Sequence, residues 1–150
     1  MGGVVAIAKT DIPGLEGVTF ENGSPSARRR IGLPPWSEDP QLTASDIHWL
    51  PDLLPLGQYH ALSGVLAMLD VAISRTGIDP MVKAAVTVIS SDTMGVCSYC
   101  LSGMGGMSGA RPGPVVQFSR KYPNLTLVIK LPNGGVDMVV RAGVRFGGIK

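Results

Sequence analysis

Residues 84–100 read AAVTVISSDTMGVCSYC, and the fold turns on how that run is divided. Its first six residues, Ala84 to Ile89, are β-rich and apolar enough for a central strand. Its last four, Cys97-Ser98-Tyr99-Cys100, hold both cysteines of the chain. A strand that leads into C-x-x-C at the start of a helix sets two thiols side by side, because positions three apart share a face of the first turn. The positive end of such a helix favours thiolates.

The flanks supply the partners of that strand. Upstream, QYHALSGVLAMLDVAISRTG (58–77) predicts a helix from about Tyr59 to Arg75. Leu62, Val65, Leu66, Leu69, Ala72 and Ile73 fall on one stripe of period 3.6, and Gly77 supplies the stop. Downstream, CSYCLSGMGGMSG (97–109) reads as a short helix decaying into a Gly/Met loop. GPVVQFSRKYP (113–123) reads as another, opened by Pro112 or Pro114 and closed before Pro123. The end is an antiparallel hairpin: β runs at Leu125–Leu131 and Val136–Arg141, joined by the tight turn Pro132-Asn133-Gly134-Gly135. Residues 1–57 form a loop-rich lead-in with short extended candidates at Val4–Lys9 and Val18–Phe20, punctuated by Pro and Gly. Residues 58–150 form the core. No internal repeat is visible. The order of elements gives one layered α/β domain, a mixed central sheet with helices packed upon it.

Composition narrows the class. A chain of 150 residues with 45% apolar residues suits one globular domain with a substantial core. The net charge of +2 is compatible with nucleic acid without arguing for it. No apolar run approaches the ~20 residues that span a bilayer. Met1-Gly2-Gly3 followed by VVAIAK lacks the features of a signal peptide and reads as a junction, or as a domain cut from a longer chain. Two close cysteines do not make a secreted disulfide scaffold.

For the cysteine pair three chemistries compete. A thioredoxin-type redox pair expects C-x-x-C after a strand at a helix start, as here. A structural zinc site needs four ligands, and besides the cysteines only His48 and His60 are at hand. A catalytic zinc site needs three protein ligands and an open position. His60, at the start of the long helix, would complete it if the two helix N-termini converge at one edge of the sheet.

A histidine opening one helix, then a strand, then C-x-x-C opening the next helix resembles the zinc-dependent cytidine deaminase superfamily, whose signature is H-x-E followed by P-C-x-x-C. The stretches that carry the resemblance are YHALSGVLAML, AAVTVISSDTMGVCSYC and the closing hairpin. More narrowly, the chain is similar to the deaminase domains of bacterial polymorphic toxins, including interbacterial DNA deaminases. The opening AIAKTDIPGLEGVTFENGSPSARRRIGLP is similar to the lead-ins of such domains, and the antiparallel hairpin fits them better than the parallel-ended branch. The resemblance implies a cytidine-deaminase-like layered fold and one zinc ion held by His60, Cys97 and Cys100, with water as fourth ligand. It implies hydrolytic deamination of cytosine to uracil in DNA, presented single-stranded or flipped. It also implies a cognate immunity protein as partner, and a secreted or injected effector that acts in the cytoplasm of the target cell.

Two departures stand out. Val96 replaces the family's proline, which matters little. Leu62 occupies the place of the family's glutamate, which matters greatly, because that residue carries a proton from the metal's water to the ring nitrogen and then to the leaving amine. The chain's glutamates, Glu16, Glu21 and Glu38, all lie in the lead-in, and of them Glu38 is the candidate to approach the site. Leu62 can be read as a member of the apolar stripe, as a natural loss of activity, or as a replacement made to spare the host from a DNA deaminase. The third reading is favoured, since a single exchange leaves His60, Cys97 and Cys100 intact. Beyond the catalytic position, the expected substrate contacts are Tyr99 stacking on the base, and Ser90 and Ser91 at the pyrimidine. Arg28, Arg29 and Arg30 would hold phosphates, flanked by Arg111, Arg120 and Lys121. The loop Gly103–Gly113, with Met104 and Met107, would gate the pocket. The alternatives are a deaminase-fold binding domain without catalysis, and a C-x-x-C redox or structural module.

Overall fold

Alternating burial along short runs sets the sheet. The computed structural model describes residues 5–23, 28–29, 32, 38–39, 44–47, 61–91, 101 and 112–146. They form β1 (Val5–Thr10), β2 (Phe20–Gly23), α1 (Ala61–Thr76), β3 (Ala84–Ser90), α2 (Pro114–Lys121), β4 (Leu125–Lys130), β5 (Val136–Arg141) and β6 (Val144–Arg145). The strands make one sheet in the order β2-β1-β3-β4-β5-β6. The β3–β4 pair is parallel, and every other neighbouring pair is antiparallel. The expected mixed α/β sheet is therefore present, as is the closing hairpin between β4 and β5. The short helix expected over residues 97–109 lies outside the described residues, apart from Leu101.

Both helices pack against one face. α1 lies along β2, β1 and β3 and touches α2, which lies on β4 and β5. The side chains that meet them are Ala6, Ala8, Val86, Val88, Leu127, Ile129, Met138 and Val140, all buried. Small residues on β1 let the helix come close, and Leu66, Leu69 and Ile73 of α1 fill the remaining space with Phe118 of α2 and Tyr122, which caps that helix. Period-2 alternation sends Ile7, Lys9, Thr87, Ile89, Val128 and Val139 to the opposite face, where they are at least partly exposed.

Three boundaries differ from the sequence-based expectation. The second strand begins at Phe20, where the expected one ends, because Phe20 and Asn22 face the helix while Val18 stays in solvent. The lead-in is no appendage: β1, which comes from it, lies between β2 and β3 within the sheet. A sixth strand follows β5 through Ala142 and Gly143, whose φ values are 53° and 77°. Two consecutive left-handed residues match the right-handed twist of a tight hairpin.

Two polar clusters tie described residues of the lead-in to this frame. Buried Asn22 accepts hydrogen bonds at Oδ1 from the Gly23 N–H (2.7 Å) and the Arg28 guanidinium (2.6 Å), and its Nδ2 points at Met68 Sδ of α1 (3.4 Å). Arg28 in turn pairs with Asp39 at 2.7 Å. The second cluster centres on Asp70, 1% exposed on α1. Its Oδ2 accepts from the Ser45 hydroxyl (2.8 Å) and the Asp46 N–H (2.9 Å). Its Oδ1 accepts from the Tyr122 hydroxyl and from Lys121 Nζ, the latter at 2.7 Å. Burial pushes the Asp70 carboxyl up, but the hydrogen bonds from Lys121, Tyr122, Ser45 and Asp46 outweigh it and hold the pKa below its ordinary 3.8. Burial, together with the bond to Asp70, pushes the Tyr122 phenol up.

Two tests follow from these contacts. At Gly64, in the first turn of α1, a Cβ would lie 2.6 Å from Asn22 Cγ. Gly64→Ala gains about 1 kcal/mol of helix propensity, yet it must displace a buried side chain that already holds three partners. Overpacking of that kind costs about 1–3 kcal/mol, so urea unfolding should show a net loss of stability. For Asp70, a folded pKa below the unfolded one means its contribution is complete above pH 3.8 and fades as pH falls through the lowered value. Asp70→Ala should therefore lower stability by roughly 2–4 kcal/mol at pH 7. Its deficit relative to the parent chain should narrow below about pH 4.

Candidate functional site

The start of α1 and the end of β3 meet at one end of the sheet. Gly64 of α1 lies against Asn22 of β2; Asn22 is paired with Ala6 of β1, and Ala6 with Ser90 of β3. Just beyond, the Ser91 N–H donates to the Val5 carbonyl (2.8 Å), and the Val5 N–H donates to Ser91 Oγ (2.9 Å). The chain thus enters α1 from residue 60, and leaves β3 toward residue 97, at the same end. A seven-residue connection at the opposite end, 77–83, returns the helix to the sheet.

The candidate residues are distributed unevenly. His60, Cys97, Tyr99, Cys100 and Arg30 lie outside the described residues, as do His48, Met104, Met107 and Arg111. Leu62 is the second residue of α1. At 7% exposure it packs into the main apolar cluster. Ser90 ends β3, half-buried. Ser91 spends its hydroxyl oxygen closing the β1–β3 ladder, the role of a loop cap. Arg28, expected at a phosphate, is instead buried and bonded to Asn22 and Asp39. A strongly desolvated guanidinium needs fixed partners, and the lead-in supplies them. Arg29 is exposed, so any phosphate contact by the described part of that run falls to it. Glu38 is exposed beside Asp39.

Two expected flanking cations are elsewhere. α2 ends three residues before β4, whose first residue, Leu125, is in register with Ala84 at the start of β3. Arg120 and Lys121 therefore belong to the end of the sheet away from Ser90. Lys121 is also bonded to Asp46 (2.8 Å) and Asp70 (2.7 Å), which keep its ammonium pKa raised despite partial burial. Lys121 is a structural cation.

The first turn of α1 has no acidic residue, and Ala61, Leu62, Ser63 and Gly64 are all buried. A helix N-terminus whose first turn carries no acid favours nearby anions, and the effect is larger where water is excluded. Among the described residues no group of three or more His, Cys, Asp or Glu side chains is placed to hold a metal.

Sequence reasoning missed the Asp70 cluster and the Asn22–Arg28–Asp39 chain. For Asp70 a signal existed: in LAMLDVAI it lies between Leu66 and Ile73, four residues before and three after, and so on the buried stripe. An acid on such a stripe requires buried donors. Asn22 and Asp39 carry no comparable mark. Family models, curated proteins and solved structures alike yield no match to this chain.

Proposed function

We propose that this chain is the deaminase-fold domain of a bacterial toxin, built for zinc-dependent conversion of cytosine to uracil in DNA and inactive as it stands. The observation that carries the reading is the convergence just described. The helix expected to open on His60 begins at the same end of the sheet from which the chain departs toward Cys97 and Cys100. The antiparallel β4–β5 hairpin supports the toxin branch of that fold.

The donor set fits zinc: two thiolates and one imidazole are its common ligand types and leave one position open. His60, Cys97 and Cys100 would hold the ion, and zinc, when bound, lowers the pKa of its water toward neutrality. The rest falls to the chain. Deamination would need a proton delivered to N3 of cytosine and another to the departing ammonia, and the family pattern gives that task to the group at position 62. Leu62 has no atom that can do it. Leu62 is buried in the apolar cluster, so on this reading the replacement removes the proton carrier and puts an apolar side chain in its place. Tyr99 would stack on the flipped base, Ser90 and the backbone at Ser91 would meet the pyrimidine edge, and Arg29 and Arg30 would meet phosphates. An immunity protein is the expected protein partner, and the target cell's cytoplasm the expected place of action. No helix among the described residues is long and apolar enough to cross a membrane.

A second reading, a catalytically inactive deaminase fold that now serves only to bind a partner, is favoured by one observation: Leu62 belongs to the apolar cluster.

Metal analysis should find one zinc per chain, lost on Cys97→Ser or His60→Ala. A Cys97–Cys100 disulfide without zinc would establish the redox module instead. Leu62→Glu should restore uracil formation in a cytosine-bearing oligonucleotide, read as strand cleavage after glycosylase treatment. Leu62→Gln should not, and the two should differ by more than ~10²-fold, the lower range for a general acid–base group. Zinc binding without activity in Leu62→Glu, across DNA and RNA substrates, would establish the binding domain.

A further inference from the structure

At the end of the sheet where β3 and β4 begin, a hollow of about 400 Å³ is lined by Lys83, Ala84, Asn124, Thr126 and Arg141. It is a different place from the candidate site, which lies toward Ser90 at the other end of β3.

Its construction follows from register. Leu127 pairs with Val140, so one step along each strand Thr126 stands beside Arg141; on its other side Thr126 pairs with Ala85. Leu125, Leu127 and Val140 face the helices and are buried. Alternation therefore sends Thr126 and Arg141 to the opposite face. Thr126 and its neighbour Ala85 are short, which leaves space on this face beside the long side chains of Lys83 and Arg141. The volume is within the range of small-ligand sites.

The lining is cationic and largely uncommitted. Neither Lys83 nor Arg141 makes an ion pair among the described residues, and the Thr126 hydroxyl makes no hydrogen bond there. Asn124 is fixed by one N–H of its side-chain amide, donated to the Met81 carbonyl at 2.8 Å. Arg141 is steadied from one side, its guanidinium carbon lying 5.0 Å from the centroid of the Phe146 ring. That contact orients a planar cation while leaving its N–H groups open. Two cations, a hydroxyl and an amide lining one hollow are the donor types that a tetrahedral oxyanion takes, with the guanidinium fork as the bidentate element.

We propose that this hollow binds a phosphate group. The group can come from free phosphate or a nucleotide, or from the phosphodiester backbone of a nucleic acid. The proposal does not depend on zinc or on Leu62.

The test is an amide chemical-shift titration of the full chain with two probes, inorganic phosphate and a short oligothymidylate, which has no cytosine to engage the candidate site. Saturable shifts at Lys83, Asn124, Thr126 and Arg141 are expected. The Lys83→Ala/Arg141→Ala double variant, with its thermal midpoint checked, should weaken the affinity at least tenfold. A response to phosphate identifies a free or monoester ligand, and a response to the oligonucleotide alone identifies a backbone phosphate. Absence of shifts at these residues with both probes overturns the proposal, as does equal affinity in the double variant. Should the double variant unfold, Arg141→Gln and the shifts of the unaltered chain decide by the same criteria.

Discussion

The close contact between the first turn of α1 and β2 sets the geometry of everything at that end of the molecule. Gly64 leaves no room for a Cβ over Asn22, and Ala6 and Ala8 keep the adjacent strand low beneath the helix. Interhelix and helix–sheet spacing depends on the side chains at the contact, so small residues here draw the helix axis inward. With that contact made, the helix start, the end of β3 and the start of β1 are held in one neighbourhood. The chain segments that lead from residue 60 into α1 and away from Ser91 start from this packing.

Asp70 does for the middle of the molecule what Gly64 does for that end. One carboxylate gathers donors from α1's neighbour α2 and from residues 45 and 46 of the lead-in. A buried carboxylate with this many fixed partners adds specificity as much as stability, because a shifted packing would strand its charge. Arg28 plays the reciprocal part with Asn22 and Asp39. Hydrogen bonds and ion pairs thus tie Arg28, Asp39, Ser45 and Asp46 of the lead-in to α1 and β2.

The regular elements were legible because each has its own period. The α1 stripe, the β3 run and the Pro-Asn-Gly-Gly hairpin are local signals, and the structure places them within a residue or two of the expected bounds. What was not legible is what depends on contacts between distant residues. Phe20 and Asn22 extend their strand because α1 lies over them, and nothing in FENG alone says so. Arg28 looks like its neighbours in SARRRIG, and only Asn22 and Asp39 distinguish it. Ser91 could be assigned to a loop, but not to Val5. For the candidate site, the topology that brings its two chain ends together is now visible in the described residues. The ligand set itself still rests on the spacing of His60, Cys97 and Cys100 in the sequence.

The pairing of β3 has a kinetic side. Both of its sheet neighbours, β1 and β4, are remote from it in the chain, and α1 intervenes before one of them and α2 before the other. Loop-closure entropy must be met before either pairing stabilises anything. Among the described residues, the β1–β2 ribbon is the one pairing available before β3 is made, and an isolated two-stranded ribbon is marginal in water. As the polypeptide emerges from the ribosome, its first two strands and α1 must therefore wait for β3, and β3 for β4. Completion of the sheet therefore waits for strands that come late in the chain. Until it happens, the apolar stripe of α1 and the edge of β1 are open to whatever else can cover them, which makes the nascent chain a natural client for chaperones.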